Sequence, residues 1–337
     1  VTALRVIDAG RVSPLRSQAL WHGIAEAMSS GDQPVLSFCR PAASYVSVGY
    51  HRRLEELDLD ACERLGLPVL RRQIGGGPVY LDADQLFFQL SLPAADAPAG
   101  VQRLYERLLT PAVTALRLLG VRAELSGTND LVADGRKVSG TGAGQIGGGV
   151  VVVGNVMFDF PCERMAAILR VPDESMRREC LRLMRAHLGT LPKLGEQSLK
   201  AALRHTYACA LGRAALPGTT RPHEDEAIDD WERRLADPGW TAGPSLPVPP
   251  GRQVKVRAGV WMYDGGHAGL QIRATVEDGR VTGAEVRAPD LNGGALGLSR
   301  ALLGVAANRE ALAARLEEFG DDGGRVLRAL EPGLVVR

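Results

Sequence analysis

Two short stretches of the chain bring together residue types that handle anionic groups. In the first, Arg71-Arg72-Gln73-Ile74-Gly75-Gly76-Gly77 follows the β-rich run PVLRR. Consecutive glycines expose backbone N–H groups and admit a ligand close to the main chain, and adjacent arginines can neutralise or fork onto a carboxylate or phosphate. The stretch has neither the GxxxxGK[ST] nor the GxGxxG spacing of nucleotide loops. Alone, it reads as a glycine-rich turn with solvated arginines. In the second, Asn129-Asp130-Leu131 is followed by Asp134-Gly135-Arg136-Lys137-Val138-Ser139-Gly140-Thr141-Gly142. A lysine on the outgoing strand of a hairpin, trailed by small residues, can project its ammonium into a cleft floored by bare backbone, where a phosphate and a polarised carbonyl would sit. The bland alternative is an exposed strand lysine, but Ser139 to Gly142 bring no bulk with which to fill a core.

The elements around these stretches are those of a mixed α/β domain. The pattern predicts a helix over Leu15–Met28, strands in PVLSFCR and YVSVGY, a helix around Leu54–Leu65, and the strand that enters the glycines. A long helix over Val101–Leu119 comes next, then strands in VRAELSG, NDLVADGRKVSG and GVVVVGNVMFDF, with Asp134-Gly135 as a two-residue hairpin turn. Helices between Cys162 and Leu211 are expected to pack on the edge of the first domain. The expected division is a catalytic domain over 1–216, a proline-rich linker over 217–250, and a small α+β domain over 251–337. That last part reads as strands VKVRAGVWMY, LQIRATVEDG and VTGAEVRAP and helices around Ala295–Leu303 and Arg309–Phe319.

Composition limits the classes of function. With 40 basic and 39 acidic residues among 337, the formal charge of +1 gives no broad attraction to nucleic acid or an anionic membrane. Five scattered cysteines without a CxxC pair suggest a reducing, cytoplasmic setting. The expectation is a soluble, untargeted protein, because no apolar run approaches the roughly 18 residues of a membrane span. His187 and His205 have no metal-ligand spacing.

Order and spacing of the two stretches resemble the lipoate-protein ligase family, within the biotin and lipoate ligase group. RRQIGGGPVYLDADQ is similar to the family's RRxSGGGAVYHDxGN, and NDLVADGRKVSGTG to its NDxxxxGKKxSGxA. The resemblance spans roughly Arg5 to Leu211 and extends more weakly to the end. It implies a class II synthetase-like biotin/lipoate ligase domain with a central mixed sheet, plus a small accessory domain. It further implies activation of lipoate with ATP and Mg²⁺ to lipoyl-AMP, then transfer to a lysine of a carrier: an H-protein-like protein, a lipoate-binding protein or a lipoyl domain. Residue by residue, Arg72, Gly75, Gly76 and Gly77 would line the acyl-adenylate tunnel. Lys137 would contact the acyl carbonyl and α-phosphate. Val79, Tyr80 and Asp82 would border the adenine side, Asn129 and Asp130 would approach metal and phosphate, and Ser139 and Gly140 would complete the binding surface. No metal ligands are assigned, and a monomer is expected.

This chain departs from the family pattern at Ile74 (serine), Leu81 (histidine), Asp84-Gln85 (Gly-Asn) and Val153-Gly154-Asn155 (His-Gly-Thr). GTGAGQIG and VGN resemble ligases associated with bacterial sulfur oxidation. The rival enzyme is a cysteine-dependent octanoyl- or lipoyl-transferase, for which Cys162, after Phe160-Pro161, is the candidate nucleophile. Glu163 follows it where glycine would be expected, so a helix start is the simpler reading. Glu124-Leu125-Ser126-Gly127 carries no thiol where the other transferase branch has one. A biotin ligase should show a GRGRxGRxW-like loop, which is absent. A non-catalytic relative that binds lipoylated domains is the remaining alternative, and retention of Arg72, the glycines and Lys137 argues against it.

Overall fold

The computed structural model describes residues 3–291 and 294–334. The chain divides into two compact units, one formed by Val1–Arg170 and Gly189–Leu246, the other by Val171–Leu188 and Pro247–Arg337.

In the first unit a six-stranded mixed sheet runs in the order Thr141–Ile146, Gly149–Met157, Gln85–Pro93, Val35–Pro41, Leu4–Val12, Ala215–Pro217. The first four strands pair antiparallel and the last two joins are parallel. Strand Gln85–Pro93, near the centre, is buried at all nine positions. Its odd and even side chains serve two cores: Leu86, Phe88 and Leu90 meet helices Val101–Leu118 and Glu196–Leu211, while Phe87 joins helices Pro14–Glu26 and Pro222–Ala236 on the opposite face. Burial on both faces is what gives this sheet its stability, since each buried aliphatic side chain contributes roughly 1.5–3 kcal/mol.

Two small sheets carry the stretches singled out above. Val69–Arg72 pairs parallel with Tyr45–Gly49, which pairs antiparallel with Val79–Leu81. Ala123–Ser126, Asp130–Ala133 and Arg136–Ser139 form an antiparallel meander. Asp134 and Gly135 both have positive φ, 49° and 75°, the conformation of a tight two-residue hairpin, as the sequence predicted.

The second unit has a four-stranded antiparallel meander, Gly251–Arg257, Val260–His267, Leu270–Glu277 and Arg280–Arg287, with helices Gly294–Leu302, Arg309–Leu316 and Gly320–Leu334. VKVRAGVWMY is therefore a hairpin and not one strand: Gly259, at φ 73°, turns it. The helix at Gly320–Leu334 was not anticipated.

Two expectations about organisation need correction. The stretch expected to be a linker over 217–250 contains helices Pro222–Ala236 and Pro238–Ala242, and it belongs to the first unit as far as Leu246. Ile228, Trp231 and Leu235 face the core from the longer helix, and buried Glu224 is paired with Arg5. Helix Glu174–His187, expected on the first domain, belongs to the second unit. Its Asp173 N-cap is bonded to Arg273, and its last residue, His187, lies 2.6 Å from Glu277. Burial opposes the charge on Glu277, but hydrogen bonds from His187 and Arg182 prevail and hold its carboxyl at about 2. Charge complementarity between segments some ninety residues apart cannot be read from local periodicity.

Candidate functional site

The glycine loop is built from its inner side. Gly75, Gly76 and Gly77 are exposed, while Arg72 beneath them is buried. Its guanidinium donates to the carbonyls of Ser47 (2.9 Å), Gly75 (2.9 Å) and Gly77 (2.8 Å). Burial pushes this guanidinium down to about 10, so it stays charged at neutral pH. Gly76 has φ 97°, and a Cβ there would lie 2.7 Å from Arg72 Nη2, so glycine is required on both conformational and steric grounds. Arg71 is fully buried and points to other carbonyls: those of Gly49, Tyr50 and Arg52 (3.0, 3.0 and 2.7 Å) and of Thr241 and Ala242 (2.9 and 3.1 Å). Both arginines of the motif thus spend their donors on the fold, and the face that the loop offers to solvent is glycine backbone.

His22 supports the same loop. Its Nε2 accepts from the Gln73 N–H at 3.0 Å and its Nδ1 donates to the Gln18 carbonyl at 2.7 Å, which fixes the neutral tautomer. Complete burial between Trp21 and Trp231 lowers its pKa to about 3. Ile74 is 2 % exposed and lies across the edge strand of the large sheet: a Cβ at Gly142 would be 2.8 Å from its Cδ1, and one at Gly144 2.8 Å from its Cγ2. The apolar residue that replaces the family's serine is thus seated on two glycines downstream of Lys137.

In the second motif, Lys137 Nζ lies 2.7 Å from Asp130 Oδ1, with the lysine side chain 21 % exposed and the carboxylate 3 %. One of the three ammonium donors is thereby engaged, leaving two for a ligand. Asn129 fixes the neighbouring strand by donating from Nδ2 to the Thr141 carbonyl at 2.9 Å, while Thr141 donates its hydroxyl to the Asn129 carbonyl. The Ser139 hydroxyl is completely buried and has no hydrogen-bond partner. Gly140 donates its N–H to Asn155 Oδ1 at 2.7 Å.

The third segment, Val79 to Asp82, meets the second through side chains. Asn155 Nδ2 donates to Gln85 Oε1, and Gln85 Nε2 donates to the Tyr80 carbonyl (3.2 Å) and toward Asp82 Oδ1 (3.5 Å). Burial raises the Asp82 carboxyl pKa, opposed by the Asp84 N–H at 3.0 Å. Tyr80 is buried, with its hydroxyl on Ser44 Oγ at 2.9 Å, and Val79 is half-buried opposite Ser47.

The fold therefore draws Lys137, Asp130, Ser139 and Gly140 together, lays the glycine loop over the strand that follows them, and ties in Tyr80–Asp82 through Gln85 and Asn155. It turns the Arg72 guanidinium and the Tyr80 hydroxyl inward. Sequence reasoning missed His22, Ser47, Gln85 and Asn155 as builders of this site. For Gln85 and Asn155 the signal lay in the departures themselves, since a longer amide stands where the family pattern has asparagine and an amide stands where it has threonine. Cys162 is half-buried at the first position of helix Cys162–Ala167. Among the other thiols of the first unit, burial pushes Cys39 up to about 12 and Cys62 to about 11.

A mixed sheet covered by helices on both faces is also the fold of solved lipoate-protein ligases. Among solved structures, the chain is similar to a bipartite lipoate protein ligase from Thermoplasma acidophilum (TM-score 0.68, 21 % identity, covering 74 % of this chain and 99 % of that one). It is also similar to a lipoate-protein ligase A bound with ATP (TM-score 0.62, 22 % identity, 72 % and 99 %). Residues 13–203 match the lipoyl protein ligase A/B catalytic domain, and the chain belongs to that family. Its relatives include the lipoate-protein ligase LplJ of Bacillus subtilis, 33 % identical over 46 % of this chain and 47 % of that protein. Another is the octanoyltransferase LipM of Moorella thermoacetica, 26 % identical over 52 % and 73 %. The chain thus matches about half the length of the Bacillus ligase.

Proposed function

We propose that the protein is an ATP-dependent lipoate-protein ligase, a monomeric cytoplasmic enzyme whose acceptor is a lysine on a lipoyl-bearing carrier. The observation that supports this reading is that Ile74, at the head of the exposed glycine loop, packs on Gly142 and Gly144 of the strand that follows the Lys137 hairpin, while Lys137 has one of its three donors on Asp130. In this reading a carboxylate oxygen of lipoate attacks the α-phosphorus of ATP and the bond to pyrophosphate breaks. The carrier amine then attacks the carbonyl carbon of the mixed anhydride, AMP departs with the bonding pair, and the amine releases a proton. Lys137 stabilises charge on the acyl carbonyl and α-phosphate, and the Gly75–Gly77 backbone lines the path of the acyl-adenylate. Positioning and preorganised charge are the terms that dominate such chemistry. Val79 and Asp82 are the residues proposed to border the adenine.

Magnesium enters as the ion of the nucleotide. It would be held mainly by phosphate oxygens and water, with Asp130 and Asn129 as the residues proposed to approach it. Support for the substrates comes from the ATP-bound neighbour and from a Thermoplasma acidophilum neighbour with bound lipoic acid (TM-score 0.61, 20 % identity). Support for a carrier comes from the bipartite ligase, which is described together with its E2 lipoyl domain. An H-protein-like or lipoate-binding protein has the same acceptor chemistry and falls within the proposed class of carrier. No helix of the described residues is long and apolar enough to cross a membrane.

The octanoyltransferase relatives keep a second reading open, thioester transfer through Cys162. Lipoate-dependent exchange of labelled pyrophosphate into ATP decides between them. Exchange is expected in the wild type and should fall about 100-fold in Lys137→Ala, the loss of about 3 kcal/mol typical of one oxyanion donor. Absence of exchange, with acyl transfer from a carrier thioester that disappears in Cys162→Ala, would overturn the ligase.

A further inference from the structure

Gly140 is held at both of its polar backbone groups by one residue. Its N–H donates to Asn155 Oδ1 at 2.7 Å, and its carbonyl accepts from the Asn155 backbone N–H at 3.2 Å. The glycine is also where the stem of Lys137 passes, because a Cβ on Gly140 would lie 3.9 Å from Lys137 Cε and 3.4 Å from Asn155 Oδ1. The orientation of the Asn155 amide is then dictated. With its oxygen on Gly140, its NH₂ must face Gln85 Oε1, which turns the Gln85 NH₂ to the Tyr80 carbonyl and Asp82. Each donor nitrogen in this series meets an acceptor, and Gln85 is completely buried, so reversing either amide would set two acceptors or two donors face to face.

We infer that Asn155 and Gln85 are a matched pair of positioning residues. Together they set the separation between the Tyr80–Asp82 segment and Gly140, and through Gly140 the place where Lys137 meets the reacting carbonyl. Their hydrogen-bond partners are Gly140, the Tyr80 carbonyl, Asp82 and each other, so in this inference their effect passes through backbone. The inference rests on the reading of Lys137 as the group that stabilises the reacting centre. One short and one long amide span the gap, and that sum matters more than which strand carries which. Asn155→Gln lengthens the bridge by one methylene and Gln85→Asn shortens it by one, whereas the exchanged pair, Asn155→Gln with Gln85→Asn, restores the total.

The test measures two things on the full chain: amide hydrogen exchange at Gly140, and the turnover number and KM values of lipoate-dependent pyrophosphate exchange. Each single variant should expose the Gly140 amide and lower turnover about tenfold, with KM for ATP and lipoate within about twofold, the pattern of an interaction used at the transition state. The exchanged pair should slow Gly140 exchange again and recover most of the turnover. Singles that expose Gly140 yet keep wild-type turnover would overturn the positioning role, as would an exchanged pair that regains Gly140 protection without regaining turnover. A wild type without pyrophosphate exchange would instead defeat the ligase reading. Acyl transfer from a carrier thioester then becomes the turnover measured on the same variants, and the same pattern of loss and recovery is required.

Discussion

Arg72→Lys separates a loop brace from a ligand contact. The wild-type guanidinium reaches the Ser47 carbonyl from one side and the Gly75 and Gly77 carbonyls from the other, with the Ser47 residue completely buried and the glycines exposed. A lysine keeps the charge but has a single nitrogen, which cannot cover both sides of that gap. If it stays with Ser47, the loop carbonyls lose their partner and are rehydrated; if it follows the loop, the buried Ser47 carbonyl is stranded. A hydrogen bond to a charged group contributes about 1.5–3 kcal/mol, and solvent compensates on the loop side, so a net loss of about 2 kcal/mol is expected. Urea unfolding should show this as a lower midpoint at unchanged m-value. Amide exchange at Gly75–Gly77 should rise in parallel, because Gly76 is no longer clamped at its positive φ. A loss below about 0.5 kcal/mol with unaltered loop exchange, accompanied by a raised KM for ATP, would refute the brace and make Arg72 a phosphate ligand.

Other expectations follow from the same geometry. His22 is neutral in the folded protein down to about pH 3 but takes up a proton near 6.5 when unfolded, so the unfolded state binds more protons across that window and stability falls as pH falls through it. His22→Gln should flatten the stability profile between pH 6.5 and 4, measured by urea midpoints, and an equally steep profile would remove His22 as the cause. Gly142→Ala should cost about 1–3 kcal/mol through its clash with Ile74 Cδ1, and Ile74→Val, which deletes that atom, should relieve it. Gly144→Ala meets Cγ2, which valine retains, so Ile74→Val should not relieve it; thermal melts of the two double-mutant cycles would expose an error if both or neither were rescued. Arg71→Met should lower stability by about 2–4 kcal/mol and open the segment around Thr241–Leu246 to limited proteolysis, and a resistant variant would contradict its anchoring role.

Much of the site was legible because its signals are local. The Asp134-Gly135 turn is a property of a short stretch and has the expected hairpin conformation, whereas the ion pair of Lys137 with Asp130 joins two strands and was not read from the sequence. Strand Gln85–Pro93 was passed over because its polar residues imitate a solvated face. Gln89 and Ser37 in fact satisfy each other inside the core at 2.7 Å. Likewise, the polar composition of Pro222–Ala236 concealed a helix whose few large apolar residues, Ile228, Trp231 and Leu235, are all buried. The inward aim of Arg71 and Arg72 was hidden for a further reason: arginine beside glycine suggests anion binding, and only the three-dimensional positions of Ser47, Thr241 and Ala242 show that carbonyls claimed those donors first.

Because helix Glu174–His187 is read out between two segments of the first unit yet belongs to the second, the chain changes unit three times, after Arg170, after Leu188 and after Leu246. The boundary is therefore not a point at which the gene can be cut. A truncation at residue 250 would retain that helix while discarding Met262, which packs on Cys180, together with Glu277 and Arg273, which fasten its two ends. The orphaned face, with Met176, Cys180, Leu183 and Met184, would be left greasy and bare. Dissecting this protein into working halves calls for excising residues 171–188 with the distal segment and rejoining Arg170 to Gly189, so that each half keeps the helices its own sheet was built to cover.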